Sequence, residues 1–196
     1  STTRRSNAFL FAYLYPTLTF LLMTTGQLHL VESIARRMLQ RQDTLDTRLN
    51  HGPALIDLGS VAYERDQLEQ AEASIQAGLP LCHYPGSEAA YYRGRLLLAK
   101  IKRARGDRIT TWTMLQELEV ELSRSNLEAN ALKNWRGLLA WEALNLGDAG
   151  YARLWLQDNP VAQDPATRLN PLATSIYLTQ AFFLLRFERR AEAETL

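Results

Sequence analysis

LGSVAYERDQLEQAEASIQAGL, from Leu58 to Leu79, sets out a pattern that recurs five times along the chain. Leu58 precedes a small residue, Gly59, with Asp66 seven positions beyond it, Ala71 at plus twelve and Ile75 at plus sixteen. The same offsets give Leu98-Ala99, Gly106, Thr111 and Leu115, and then Leu139-Ala140, Gly147, Ala152 and Leu156. An earlier copy reads Leu18-Thr19, Gly26, Val31 and Ala35; a last one reads Gln180-Ala181, Glu188 and Ala193. The small anchors at 19, 59, 99, 140 and 181 are spaced by 40, 40, 41 and 41 residues. A constant period in this range marks a helical repeat array, in which each unit buries its apolar side only against its neighbours.

Each repeat reads as two helices joined by a tight turn. Gly26, Gly106 and Gly147 supply the left-handed end of the first helix, and Asp107 and Asp148 cap the second. Asp66 stands where glycine is expected, and Asp is one of the few residues that tolerates that backbone. Asn50-His51-Gly52-Pro53, Pro80 to Ser87, Ser123 to Asn126, and Asp158 through Pro171 separate one pair from the next. First helices are therefore expected near 8–25, 53–64, 88–105, 128–146 and 172–187, and second helices near 27–41, 67–79, 108–123, 149–157 and 189–196. No strand pattern competes. The small residues at 59, 71, 99, 140 and 152 mark the closest approach of paired helices.

The 196 residues are 46% hydrophobic and 22% charged with a formal net charge of +1, so no global field steers the chain to nucleic acid. Cys82 is alone and can form no internal bridge, which fits a reducing, cytoplasmic setting. Arg4-Arg5 before the apolar run Ala8 to Met23 imitates a secretory signal. Pro16 interrupts that run, however, and it falls short of the roughly 20 apolar residues a membrane span needs. Because it also carries the first repeat in register, it reads as a buried helix of the array, with no membrane partner. The chain starts without Met and stops inside a repeat, so it is expected to be a piece of a larger protein.

The repeat, together with Leu58 to Leu79, LAKIKRARGD (Leu98 to Asp107) and LAWEALNLGD (Leu139 to Asp148), resembles tetratricopeptide (TPR) units, and more narrowly the sensor region of MalT-like, LuxR-family transcriptional activators. The resemblance covers essentially the whole chain, though its period exceeds the usual 34. It implies an all-α, right-handed superhelix of about five TPR-like helix pairs forming a single domain over 1–196, with repeats near 8–41, 53–79, 88–123, 128–157 and 172–196. It further implies an effector-sensing and protein-interaction role, a small-molecule effector or regulatory protein as partner, and self-association of the full-length regulator. ATP would belong only to a missing N-terminal module and DNA only to a missing C-terminal helix-turn-helix. The chain itself has no G-x-x-x-x-G-K-[ST] phosphate loop, and no cofactor is expected in it. A generic TPR adaptor that captures a peptide or protein is the alternative.

A catalytic reading has little support. His29, His51 and His83 have no metal-ligand spacing, Cys82 has no nominated base, and Glu69, Glu72, Glu117, Glu119 and Glu121 read as solvated outer faces. No metal site and no enzyme are expected. The basic cluster Arg93, Arg95, Lys100, Lys102, Arg103, Arg105 and Arg108 spreads around one helix and its hinge, and reads as a solvated face pairing with acids such as Glu64 or Glu117.

In TPR units the concave surface is lined from the first helices, chiefly three residues before and one, four and five after the small anchor. That resemblance places Pro16, Ile56, Leu96, Gly137 and Leu178 on the surface. It selects as ligand-binding candidates Tyr13, Phe20, Tyr63, Glu64, Arg93, Lys100, Arg103, Asn134, Trp141, Asn145, Phe182 and Arg186. Aromatic faces beside Asn, Glu and Arg suit a sugar or another polar organic effector, and also a peptide. Trp112, Trp135 and Trp155 are expected in the core.

Overall fold

The computed structural model describes residues 14–40, 49–84, 86–159 and 171–189, together with no side chain over 171–175. Among the described residues all regular structure is helical, and the fold is a succession of TPR-like helix pairs. The first pair is α1 (14–24) and α2 (Leu28–Gln40). Next come α3 (His51–Glu64) with α4 (Leu68–Gly78), which runs into a 3-10 turn at Leu79–Leu81. Then follow α5 (Glu88–Ala104) with α6 (Arg108–Ser123), and α7 (Ala129–Asn145) with α8 (Ala149–Asp158). α9 (Pro171–Arg186) opens a fifth pair, whose expected second helix lies outside the described residues. The chain divides into two compact units, 1–101 and 102–196.

One hinge is built five times. The residue seven past the anchor takes a positive φ: +71° at Gly26, +58° at Asp66, +79° at Gly106, +93° at Gly147 and +63° at Glu188. The amide of the next residue then reaches back five residues, as from Asp107 to the Lys102 carbonyl at 3.0 Å and from Asp148 to the Ala143 carbonyl at 2.9 Å. This paired return closes the last free carbonyls of the helix and fixes the direction of the next one. Asp107 then accepts from the Thr110 amide at 3.0 Å, and Asp148 from the Gly150 amide at 2.8 Å, so each caps its second helix.

Second helices bury the same three places: Val31, Ala35 and Met38; Ala71, Ile75 and Gly78; Thr111, Leu115 and Leu118. A Cβ on the anchor Gly59 would stand 2.5 Å from Ile75 Cγ1 and 3.1 Å from the Ala71 carbonyl oxygen. In this pair the absence of a side chain at the anchor lets α3 pack directly on Ile75 and the Ala71 turn of α4.

Three expectations change. The N-terminal apolar segment is not a buried helix throughout: α1 buries Tyr15 and Thr19 but leaves Leu14, Leu18, Phe20 and Leu21 exposed. His51 begins α3 and is no loop residue. Of the three tryptophans expected in the core, Trp155 is buried, with its ring N–H donating to the Lys133 carbonyl at 3.1 Å, whereas Trp112 and Trp135 are half-buried. No described helix is long and apolar enough to cross a membrane.

Candidate functional site

Residues at one offset from the anchor occupy equivalent places on successive first helices, because helix phase is set by residue spacing. Three before the anchor, Ile56, Leu96 and Gly137 are buried and line no open surface. Ile56 Cδ1 lies 2.7 Å from where a Cβ on Gly94 would be, and Gly137 sits under the Trp155 ring. Ile56, Leu96 and Gly137 take contacts between helices, which corrects the expected lining at those three places; at the same offset Pro16 is half-buried and Leu178 exposed. Five after the anchor, Thr24, Glu64, Ala104, Asn145 and Arg186 are all exposed, as side chains reaching over an open face should be.

In the first unit the site is organised by a carboxylate inside the protein. Asp57 has no exposed side-chain surface; its Oδ2 accepts from the Tyr15 hydroxyl at 2.8 Å and its Oδ1 accepts from an Arg93 guanidinium N–H. A buried charge persists only where such partners replace water. Burial, followed by the charge of Asp57 and its hydrogen bond, raises the Tyr15 phenol well above its ordinary range. The first unit therefore commits Arg93 to structure. Phe20 and Glu64 remain exposed there, and Tyr63 and Lys100 are half-buried. Tyr13 lies outside the described residues.

The second unit repeats the device with different residues. Arg103, on the last turn of α5, donates from Nε to Glu142 Oε2 at 2.9 Å, and Glu142 is buried. The basic cluster thus pairs with Asp57 and Glu142, acids that the sequence reading did not single out. Glu119, expected on a solvated face, accepts from Arg136 Nε at 2.9 Å and from the Tyr151 hydroxyl at 2.6 Å. Arg108 donates to the Leu146 carbonyl, at the end of α7.

Between α7 and α9 lies an aromatic cluster. Trp141 and Phe182 are one residue past their anchors, and their ring centroids are 3.7 Å apart at 35°. Phe183 and Trp155 close the core behind them, edge to face at 5.6 Å. One turn on, Asn145 and Arg186 are exposed, while Asn134 is half-buried. The structure therefore brings Trp141, Phe182, Asn145 and Arg186 onto adjacent helices of one unit. This face offers an apolar ring surface edged by an amide and a guanidinium.

The thiol of Cys82 is buried against Gly52, and burial pushes it up to about 11, so at neutral pH it is a protonated packing group. Among the described residues no three His, Cys, Asp or Glu side chains gather closely enough to hold a metal ion.

What sequence reasoning missed were Tyr15, Asp57 and Glu142. A signal was present: each acid interrupts an otherwise apolar stretch, Ala54 to Gly59 and Leu138 to Leu144.

No curated protein and no solved structure gives a significant match to the chain. A family model described as the MalT-like TPR region does match, over residues 3–196. With the hinge geometry and burial register repeated along it, the chain belongs to the MalT-like TPR region family.

Proposed function

We propose that this chain is the effector-sensing and protein-interaction region of a MalT-type, LuxR-family transcriptional activator working in the cytoplasm, and that it is not catalytic. The match to the MalT-like TPR region over 3–196 carries this reading. In it, ATP and DNA are handled by other modules of the regulator. The effector is a polar organic molecule, such as a sugar, with an apolar face able to pack on the half-exposed Trp141–Phe182 ring pair and polar groups that reach Asn145 and Arg186. That packing supplies contact area and the two polar side chains supply orientation, the usual division of labour in small-molecule sites. Binding can act as a signal because both aromatics sit on inter-helix contacts. A ligand that prefers one packing of α7 against α9 shifts that packing by its difference in affinity.

Calorimetry with a panel of neutral sugars, aromatic acids and short peptides tests the proposal. Asn145→Ala and Arg186→Ala are the informative variants, since both side chains are exposed and their loss leaves the core intact. Losing a hydrogen bond from a charged group, worth about 1.5–3 kcal/mol, should weaken binding of the responding ligand roughly ten- to hundredfold for Arg186→Ala. Unchanged affinity in both variants would remove the site from this face. A response confined to peptides would favour a TPR adaptor.

A further inference from the structure

Arg103 is held in place by a carboxylate that water does not reach. Its Nε donates to Glu142 Oε2 at 2.9 Å; the Glu142 side chain is 2% exposed and that of Arg103 is 32% exposed. Among the described residues this is the one bond that Arg103 makes. A guanidinium carries five N–H donors in a single plane. With the Nε edge taken, the outer edge keeps a parallel pair on Nη1 and Nη2, spaced to meet both oxygens of a carboxylate. Arg136 differs, because it commits Nε to Glu119 and Nη2 to the Ser123 hydroxyl. Glu142 also fixes the long arginine side chain before any ligand arrives, so a ligand does not bear the cost of ordering it.

The place of the pair on α7 matters as much. Asn145 is four residues past Trp141 and three past Glu142. At roughly 100° per residue it stands between the ring and the ion pair, one turn from each. Its side chain is exposed. Arg186, at the offset of Asn145 on α9, is exposed as well and is bonded to no described acid. Two guanidiniums therefore flank a neutral amide, and the acid among them is the buried one. A surface of that polarity favours an anion over a neutral molecule of the same shape.

We propose that the ligand of this face is an organic acid, its carboxylate held end-on by Nη1 and Nη2 of Arg103 and a neighbouring hydroxyl or carbonyl held by Asn145. The inference rests on the reading of this face as the effector site, and narrows the effector to carboxylates with an apolar face. Sugar acids and aromatic acids share that chemistry.

Calorimetry on the full 196-residue chain with matched pairs tests this: glucuronate against glucose, and para-hydroxybenzoate against para-hydroxybenzamide. In at least one pair the acid should bind roughly tenfold or more tightly than its neutral partner, as a charge-assisted contact predicts. The pair that responds separates sugar acid from aromatic acid. Arg103→Lys keeps a cation for Glu142 but loses the fork, and should weaken the acid roughly tenfold while leaving the neutral partner unchanged. Arg103→Met with Glu142→Met removes the guanidinium without stranding a buried charge, and should abolish the advantage of the acid. Far-ultraviolet dichroism and the urea midpoint check that both variants fold. Equal binding of acid and neutral partner, or a preference for the acid that survives both variants, overturns the proposal; sensitivity of that binding to Asn145→Ala leaves the site itself standing. Binding that ignores Asn145→Ala, or no binding by any of the four probes at millimolar concentration, overturns the proposal and the reading of this face together.

Discussion

Tyr15 and Arg93 hold different oxygens of one buried carboxylate, that of Asp57, and so tie the first helices of three successive repeats together. Apolar packing alone tolerates small slips between stacked helices, because dispersion is non-directional. A carboxylate with one oxygen assigned to a phenol and the other to a guanidinium does not. The same logic recurs with Arg103 and Glu142 in the second unit.

Removing parts of the Asp57 network should cost unequal amounts. Tyr15→Phe deletes one hydrogen bond and keeps the ring, and should cost about 1 kcal/mol. Asp57→Ala takes the carboxylate from both partners and should cost about 3–5 kcal/mol. Asp57→Leu should recover part of that loss by filling the space, yet leave Arg93 without its anion. Urea unfolding of the variants gives the order, and a double-mutant cycle between Tyr15→Phe and Asp57→Asn gives the coupling. No measurable cost for either Tyr15→Phe or Asp57→Ala would show that the network does not bear on stability.

At Gly59 α3 and α4 leave no space for a Cβ, so Gly59→Ala tests that approach. On an exposed helix the change would stabilise by about 1 kcal/mol through helix propensity. Here the added methyl meets Ile75 and the Ala71 carbonyl, and Ile75 is fully buried. The overpacking cost of about 1–3 kcal/mol should win, giving a net loss. Gly59→Ala combined with Ile75→Val should be more stable than the sum of the two single losses, read from thermal or urea midpoints. Simple additivity would mean the helices separate at no cost.

Much of the repeat was legible in the sequence because a hinge needing positive φ, a cap and a small anchor each restrict residue type strongly. Gly106-Asp107 announces both the end of α5 and the start of α6. Glu188 was harder to read as a hinge, since its φ of +63° is imposed by position in the repeat and not by residue preference. The face was less legible. Offsets locate a residue around a helix but do not say whether the next helix covers it, so Ile56 and Leu96 were placed on a surface and are buried. Arg93 and Arg103 looked like solvated charges for a related reason. Their partners lie on neighbouring repeats, 36 and 39 residues away in the chain, and no local window contains them.

Asp66 offers a gain of stability. It occupies the left-handed hinge position at φ +58°, where Gly26, Gly106 and Gly147 serve the other repeats. An L side chain in that region is strained by about 1–2 kcal/mol, less for Asp. Asp66→Gly should therefore stabilise by a few tenths to about 1 kcal/mol, after the unfolded glycine's extra freedom is subtracted. A rise in the melting midpoint without change in the helical dichroism is the expected result. A fall would show that the Asp66 carboxylate does more than occupy the turn.

Alkali should destabilise the chain, and Cys82 should define the first part of that loss. Its thiol is raised by burial from about 9 to about 11, and the phenols of Tyr15, Tyr84 and Tyr151 are raised above their ordinary value for the same leading reason. For each group the folded chain prefers the neutral form. The unfolded chain therefore ionises first as pH rises. The contribution to stability is complete below the unfolded pKa and is lost as pH climbs toward the folded one. For Cys82 that window runs from about 9 to about 11, and the phenols extend it upward from about 10. Cys82→Ala should lower stability slightly at neutral pH, through lost packing against Gly52, and flatten the fall with pH within the window. The slope of unfolding free energy against pH is thus the readout, measured in urea at a series of alkaline values. An unchanged slope in Cys82→Ala would mean that the thiol reaches solvent in the native state.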